Sequence, residues 1–183
     1  MQRDLVERAM GGDRDAFTEL GRASIDRLYA IARLILRDGD LAEDATQEAL
    51  IAAWRDLKGL RDPDKFEPWL RRLLVNACYR EARKDKRRMR AEGRLRPIET
   101  EAVDPAQATA DRDELARAFE DLDTDQRALI VLHYHIGLPM YETALALGLP
   151  VGTVKSRLNR TKQQLRATLE ADARLPLLEG GTP

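Results

Sequence analysis

Gly148 divides two stretches of helical periodicity and limits how the chain around it can fold. Upstream, Glu142 to Leu147 predicts a short helix, and glycine supplies the φ > 0 conformation that lets the chain reverse within a few residues. Downstream, Val151, Val154 and Leu158 recur at helical spacing and are expected to pack inward. Thr153, Ser156, Arg157 and Arg160 fall at i, i+3, i+4 and i+7 on the opposite face. The pair reads as a helix-turn-helix whose second helix enters a major groove. Lys155, Arg157, Arg160, Lys162 and Arg166 crowd this stretch, and Glu170 is the first acid to follow. An outward face of short donors and cations suits phosphates.

The rest of the chain is also helical in character. Of 183 residues, 34% are charged and 5% aromatic, with many Ala, Leu, Arg and Glu and no convincing strand pattern. This predicts an all-α protein of two small helical domains, each with a modest core. No apolar run approaches the roughly 18 residues of a membrane span, and MQRDLVERAMGGD carries charges where a signal peptide needs its apolar stretch. A cytoplasmic protein is expected. Cys78 is the single cysteine, which rules out an intrachain disulfide and a Cys-based zinc site and suggests a helix-packing role. His133 and His135, at i and i+2, point to different helix faces and do not make a metal pair. With no catalytic constellation in view, neither enzymatic activity nor a cofactor nor a metal is expected.

The formal net charge of −1 conceals segregation along the chain. From Arg71 to Arg96 there are eleven Lys/Arg against three Asp/Glu, whereas from Glu99 to Asp125 there are two against ten. Local field, rather than net charge, then decides where a polyanion binds.

Apolar spacing and breakers organise the sequence as follows. A helix from about Arg3 to Met10 stops at Gly11-Gly12, and Asp13 caps a longer one reaching about Arg37. The buried stripe of that second helix is read as Phe17, Leu20, Ile25, Leu28, Ile31, Ala32 and Ile35. Asp40 is expected to cap a third helix, about Leu41 to Leu57, with Leu50, Trp54 and Leu57 facing the core. After a turn from Lys58 to Pro63, Asp64 or Lys65 opens a long helix with Phe66, Trp69, Leu70, Leu73 and Ala77 at core spacing. Residues 1–90 thus form the first domain. Residues 91–110 read as a flexible linker containing Gly93, Pro97 and Pro105. The second domain, 111–172, begins with a helix through Leu115 and Phe119 to Leu122. Thr124 or Asp123 caps the next helix, QRALIVLHYHIGL, which ends near Gly137. The tail 173–183 is expected to be disordered.

Three segments, LAEDATQEALIAAW, FEPWLRRLLVNACYREARKDKRR and GLPVGTVKSRLNRTKQQLR, together resemble the extracytoplasmic-function sigma factors, the compact two-domain members of the bacterial sigma-70 family. The resemblance spans about Leu5 to Leu169. It implies a subunit that brings core RNA polymerase to promoter DNA, without catalysis of its own, and an anti-sigma protein as a further partner. It implies that Asp44, Gln47 and Glu48 dock on the β′ clamp helices, with the β flap as the contact of the second domain. Lys58 and Arg61 in the turn, with Arg72, Asn76, Tyr79, Arg80, Arg83 and Arg87 on the long helix, match the reader of the minus-ten element. Thr153, Lys155, Ser156, Arg157, Asn159 and Arg160 match the reader of the minus-thirty-five element. Trp54 and Trp69 are assigned to the core by their spacing. Thr46 and Thr143 stand where the family commonly has aliphatic residues, so local packing is expected to differ there.

Two rival readings are a conventional dimeric helix-turn-helix regulator and an RNA-processing enzyme. The first does not require an acidic patch followed by a basic helix. The second lacks any His, Cys or carboxylate cluster with active-site spacing.

Overall fold

A computed structural model describes residues 2–92, 118–119 and 121–172. Among the described residues the fold is all-α, with no strand. The first unit comprises α1 (Gln2–Met10), α2 (Arg14–Leu36), α3 (Gly39–Asp56) and α4 (Phe66–Glu92), with single 3-10 turns at Leu57–Gly59 and Pro63–Lys65 before α4. The second comprises α5 (Thr124–Ile130), which widens into a π turn at Val131–His135, followed by α6 (Met140–Leu147) and α7 (Val151–Asp172). The expected linker and tail, and the helix start near Asp111, lie almost wholly outside the described residues.

Aspartates set three helix starts. Asp13 accepts from the Asp15 and Ala16 amides at 3.0 Å and opens α2. Asp38, 4% exposed, accepts from Leu41 N at 2.6 Å and opens α3. The expected cap at Asp40 is therefore displaced by two residues, because the extended backbone of Asp38 aims its carboxylate at the orphan amides of the first turn. Asp123 opens α5 through a reciprocal capping box with Gln126, at 2.8 and 2.9 Å. Each such cap contributes about 1 kcal/mol.

In the first unit α3 lies against both α2 and α4. Its buried face is Ala42, Ala45, Thr46, Ala49, Ala52 and Ala53, with Leu57 just beyond. Leu50 is only half-buried and Trp54 is 40% exposed, its ring resting 5.0 Å from that of Phe17. Alanines, rather than the expected large residues, thus make most of this contact, and they let helix axes approach closely. Ile25 is another correction. It is 42% exposed, and Ser24 is buried instead, because Leu20, Ser24 and Leu28 follow the i+4 line that faces the core. Phe17 and Trp69 are half-buried at the edge of the cluster.

In the second unit Thr143 is fully buried, its hydroxyl donating to the carbonyls of Leu138 and Pro139 at 3.3 and 3.2 Å. Buried Thr46 does the same to Ala42 O at 2.7 Å. Both hydroxyls stand at positions expected to be aliphatic, and both are satisfied by local backbone. The helix expected to run to Gly137 loosens after Ile130. Ile136 N reaches back to Val131 O at 2.9 Å, and His133 Nδ1 lies 2.9 Å from Leu138 O. Gly148 has φ 66°, and the next amide, Leu149 N, donates to Ala144 O at 3.0 Å, closing α6 as the turn requires.

Buried side chains of both units belong to one continuous apolar cluster, from Val6 to Leu158. The seam is formed by α4 against α6 and α5, and by α2 against α5 and the π turn. Ala49 has no exposed surface at the α3 contact. Ala49→Leu is expected to lower unfolding stability by about 1–3 kcal/mol through overpacking. Urea denaturation followed by circular dichroism measures this, and a change below about 0.5 kcal/mol would mean that the alanine contact is loose.

Candidate nucleic-acid interface

Three surfaces carry the residues singled out from the sequence. On α3, Asp44 and Gln47 are exposed, and Gln47 Nε2 donates to Glu43 Oε1 at 3.2 Å. Glu48 is half-buried and is not free. It accepts from Arg80 Nε of α4 at 2.8 Å, while its other oxygen is buried with no protein partner. The polar patch and the basic helix therefore share an ion pair. Ile51, one turn on from Gln47 and Glu48, is 65% exposed. Sequence reasoning passed over it, although its i+3 offset from Glu48 places it on the same face.

On α4, Arg72, Arg80, Arg83 and Arg87 are exposed, and Asn76 and Tyr79 are half-buried. Arg83 Nε donates to Tyr79 O at 3.1 Å, and Arg87 Nε donates to Arg83 O at 3.3 Å. These bonds fold the two guanidinium groups back along the helix and keep them as one basic stripe. Burial, then the nearby Asp125 carboxylate, raises the Tyr79 phenol above its ordinary value and keeps it neutral. Lys58 is exposed on the first 3-10 turn, and Arg61 is exposed in the bend between the two 3-10 turns that lead into the helix. Cys78, wholly buried on α4, is a packing thiol, pushed up to about 12 by desolvation.

The ends of that turn region are tied to α1 and α2. Arg3 pairs with Asp64, and Gln2 Nε2 donates to Glu67 Oε1 at 2.7 Å. Glu67 also pairs with Arg27.

On α7, Val154, Leu158 and Thr161 are buried and form the inward line. Val151 was expected on that line but is 39% exposed, because it occupies the first position of the helix, where the line has not yet reached the neighbouring helices. Thr161, omitted by the sequence reading, continues the i+3/i+4 line from Leu158. Lys155, Ser156, Arg157, Asn159 and Arg160 are exposed on the outer side, and Thr153 is half-buried at its edge. Ser156 Oγ donates to Thr153 O at 2.9 Å. Arg157 Nη1 lies 3.6 Å from Asp125 Oδ2 of α5. α7 thus presents cations and small polar groups together, as a groove-reading helix requires.

Among the described residues, no three His, Cys, Asp or Glu side chains are grouped to hold a metal ion. No described helix is long and apolar enough to cross a membrane.

The two units correspond to two family models, sigma-70 region 2 over residues 22–88 and sigma-70 region 4 over residues 112–165. The chain is 34% identical to the ECF RNA polymerase sigma factor SigM of Mycobacterium tuberculosis, over 91% of this chain and 83% of that protein. It is 29% identical to the ECF RNA polymerase sigma factor SigW of Bacillus subtilis, over 90% and 94% of the two chains. Its fold is similar to that of CnrH in complex with the cytosolic domain of CnrY, with a TM-score of 0.65 and 30% identity over 93% of this chain and 98% of the other. It is also similar to the sigma factor RpoE in complex with the anti-sigma factor NepR from Bartonella quintana, with a TM-score of 0.67 and 30% identity over 85% and 98%. With both characteristic regions present in order and relatives matched along most of their length, the chain belongs to the extracytoplasmic-function branch of the sigma-70 family.

Proposed function

We infer that this protein is an RNA polymerase sigma factor that directs core polymerase to a specific class of promoters and assists melting. The observation that carries this reading is one chain with two separate basic helices, α4 and α7, and a distinct polar patch on α3. The division of labour follows from their chemistry. Residues 1–90 hold polymerase and the minus-ten element, 91–110 connect, and 111–172 read the minus-thirty-five element.

Asp44, Gln47 and Glu48 supply the docking face, presented to basic side chains of the β′ clamp helices. Complementary charge favours fast, oriented association. The exposed Ile51 beside them adds apolar area to the same contact. The second unit meets the β flap. Lys58, Arg61, Arg72, Asn76, Tyr79, Arg80, Arg83 and Arg87 hold the non-template strand. Extruding a base from the duplex costs a few kcal/mol, and cations along the strand with a stacking ring offset that cost. Thr153, Lys155, Ser156, Arg157, Asn159 and Arg160 contact the upstream duplex, where Lys155 and Arg157 reach phosphates or guanine edges.

The protein works as an initiation factor in the cytoplasm, without enzymatic activity of its own. RpoE was solved in complex with the anti-sigma factor NepR, and CnrH in complex with the cytosolic domain of CnrY. By that analogy an anti-sigma protein covers this chain until it is needed.

Transcription from a promoter library by purified core polymerase, with and without this protein, tests the reading. New transcript starts that share two upstream elements are expected. Absence of new starts, with DNA binding by the protein alone, would favour a conventional regulator. Asp44→Lys is expected to weaken association with core polymerase at least severalfold while leaving the circular dichroism spectrum unchanged. Wild-type affinity would remove the docking assignment. Arg157→Ala is expected to weaken duplex upstream-element binding by about 1–3 kcal/mol if the side chain reads a base, and less if it meets a phosphate. Gel-shift titration with normal polymerase association as control measures it, and unchanged promoter occupancy would count against the assignment.

A further inference from the structure

The turn that leads into α4 is neutral by composition but presents cations. From Lys58 to Glu67 the chain has three bases, Lys58, Arg61 and Lys65, and three acids, Asp62, Asp64 and Glu67. The three bases are exposed. Each acid is already engaged. Asp62 accepts from Asp64 N at 3.0 Å and caps the second 3-10 turn. Asp64 pairs with Arg3 of α1. Glu67 pairs with Arg27 of α2 and accepts from Gln2 Nε2 of α1 at 2.7 Å. An approaching phosphate therefore meets cations, while the carboxylates that would repel it are taken up by the first two helices.

α1 is itself fixed along its length and at both ends. Val6 has no exposed surface, Ala9 is buried, and the helix lies against α2 and both 3-10 turns. At its C-terminal end Arg8 Nε and Nη2 donate to Asp13 Oδ2 at 3.0 and 2.7 Å, so the carboxylate that caps α2 also holds α1. At its N-terminal end Arg3 pairs with both Glu7 and Asp64. The turn is anchored inward by the buried Leu57 and Leu60. The exposed Arg61 is thus placed by anchors on either side of it, Leu60 before and the Asp64 pair with α1 after.

A side chain that meets a ligand is only as well placed as the residues that support it. Exposed ion pairs contribute little to folding, so the effect of Arg3 and Gln2 falls on where the turn lies. We propose that α1 is a working part of the minus-ten reader, with Arg3 and Gln2 as positioning residues that fix the turn from Lys58 to Asp64 against the start of α4. This rests on the assignment of Lys58 and Arg61 to the minus-ten element. What the turn receives is an extruded base of the non-template strand with its flanking phosphates, so a displaced turn loses base preference at one promoter position.

Transcription by core polymerase with the full chain, from a library carrying every base at each minus-ten position, tests this. Arg3→Gln is expected to lower the base preference at one minus-ten position severalfold. Preferences at the minus-thirty-five element and the thermal unfolding midpoint are expected to stay as in wild type. Asp64→Asn breaks the same pair with the opposite change of charge and is expected to lower the same preference. Arg3→Lys keeps a cation opposite Asp64 and is expected to restore most of it. Arg14→Gln, at an exposed position on α2, repeats the charge change of Arg3→Gln and is expected to match wild type. Opposite effects of Arg3→Gln and Asp64→Asn, or a uniform change across all promoters, would reduce the effect to charge and overturn the proposal. A lowered unfolding midpoint with loss at both elements would make α1 a support of the fold alone and overturn it too. Normal starts with unaltered preferences in both variants would overturn this inference only, whereas wild-type protein that directs no starts would remove the sigma-factor reading itself.

Discussion

The alanine face of α3 is the contact on which the remaining geometry depends. Ala42, Ala45, Ala49 and Ala53 have no exposed surface and carry no side chain beyond Cβ, so α2 and α4 can close on α3 from both sides. Dense packing of small groups tolerates little change in volume. It holds α4 rigid over its first turns, where Leu70, Leu74 and Ala77 face inward and Arg72, Asn76 and Tyr79 are left toward the other side. The basic stripe of α4 is thus positioned by the least chemically distinctive residues in the chain.

Charge is the second constraint. The chain is close to neutral, yet residues 71–92 of its basic stretch lie on α4, and Asp123 and Asp125 of its acidic stretch line a cleft beside it. Glu48 and Asp125 each connect surfaces that look separate in sequence, the first joining α3 to Arg80 and the second lying between α4 and Arg157. Exposed pairs of this sort are individually weak and screened by salt. The half-buried Arg127, by contrast, has structural weight, because its charge is partly removed from water and meets two backbone carbonyls.

Where local chemistry acts alone, sequence and structure agree except at the start of α3, where Asp38 rather than Asp40 is the cap. Asp13 and Asp123 cap the helices they precede, and Gly148 takes the left-handed conformation that ends α6. Val154 and Leu158 face inward. Disagreements arise at the edges of stripes. Ile25 and Val151 have apolar side chains at plausible spacings but stay exposed, whereas Ser24 and Thr161 are buried. Hydrophobicity alone does not distinguish these cases, since a periodic pattern defines a face but not how far the neighbouring element extends over it. The π turn at Val131–His135 carries no breaker within it and so escapes a reading based on spacing.

The sequence by itself determined most of the described helices, the caps at Asp13 and Asp123, the helix-turn-helix and the segregation of charge, because each depends on residues within a few positions of one another. Tertiary structure decided which of those charges are available. Arg127 reaches Ile35 across 92 positions, Arg80 reaches Glu48 across 32, and Asp125 comes to lie beside both Arg157 and the α4 stripe. Such contacts depend on where whole helices lie in relation to each other. That arrangement is set by the combined packing of many small apolar side chains, and no local pattern encodes it.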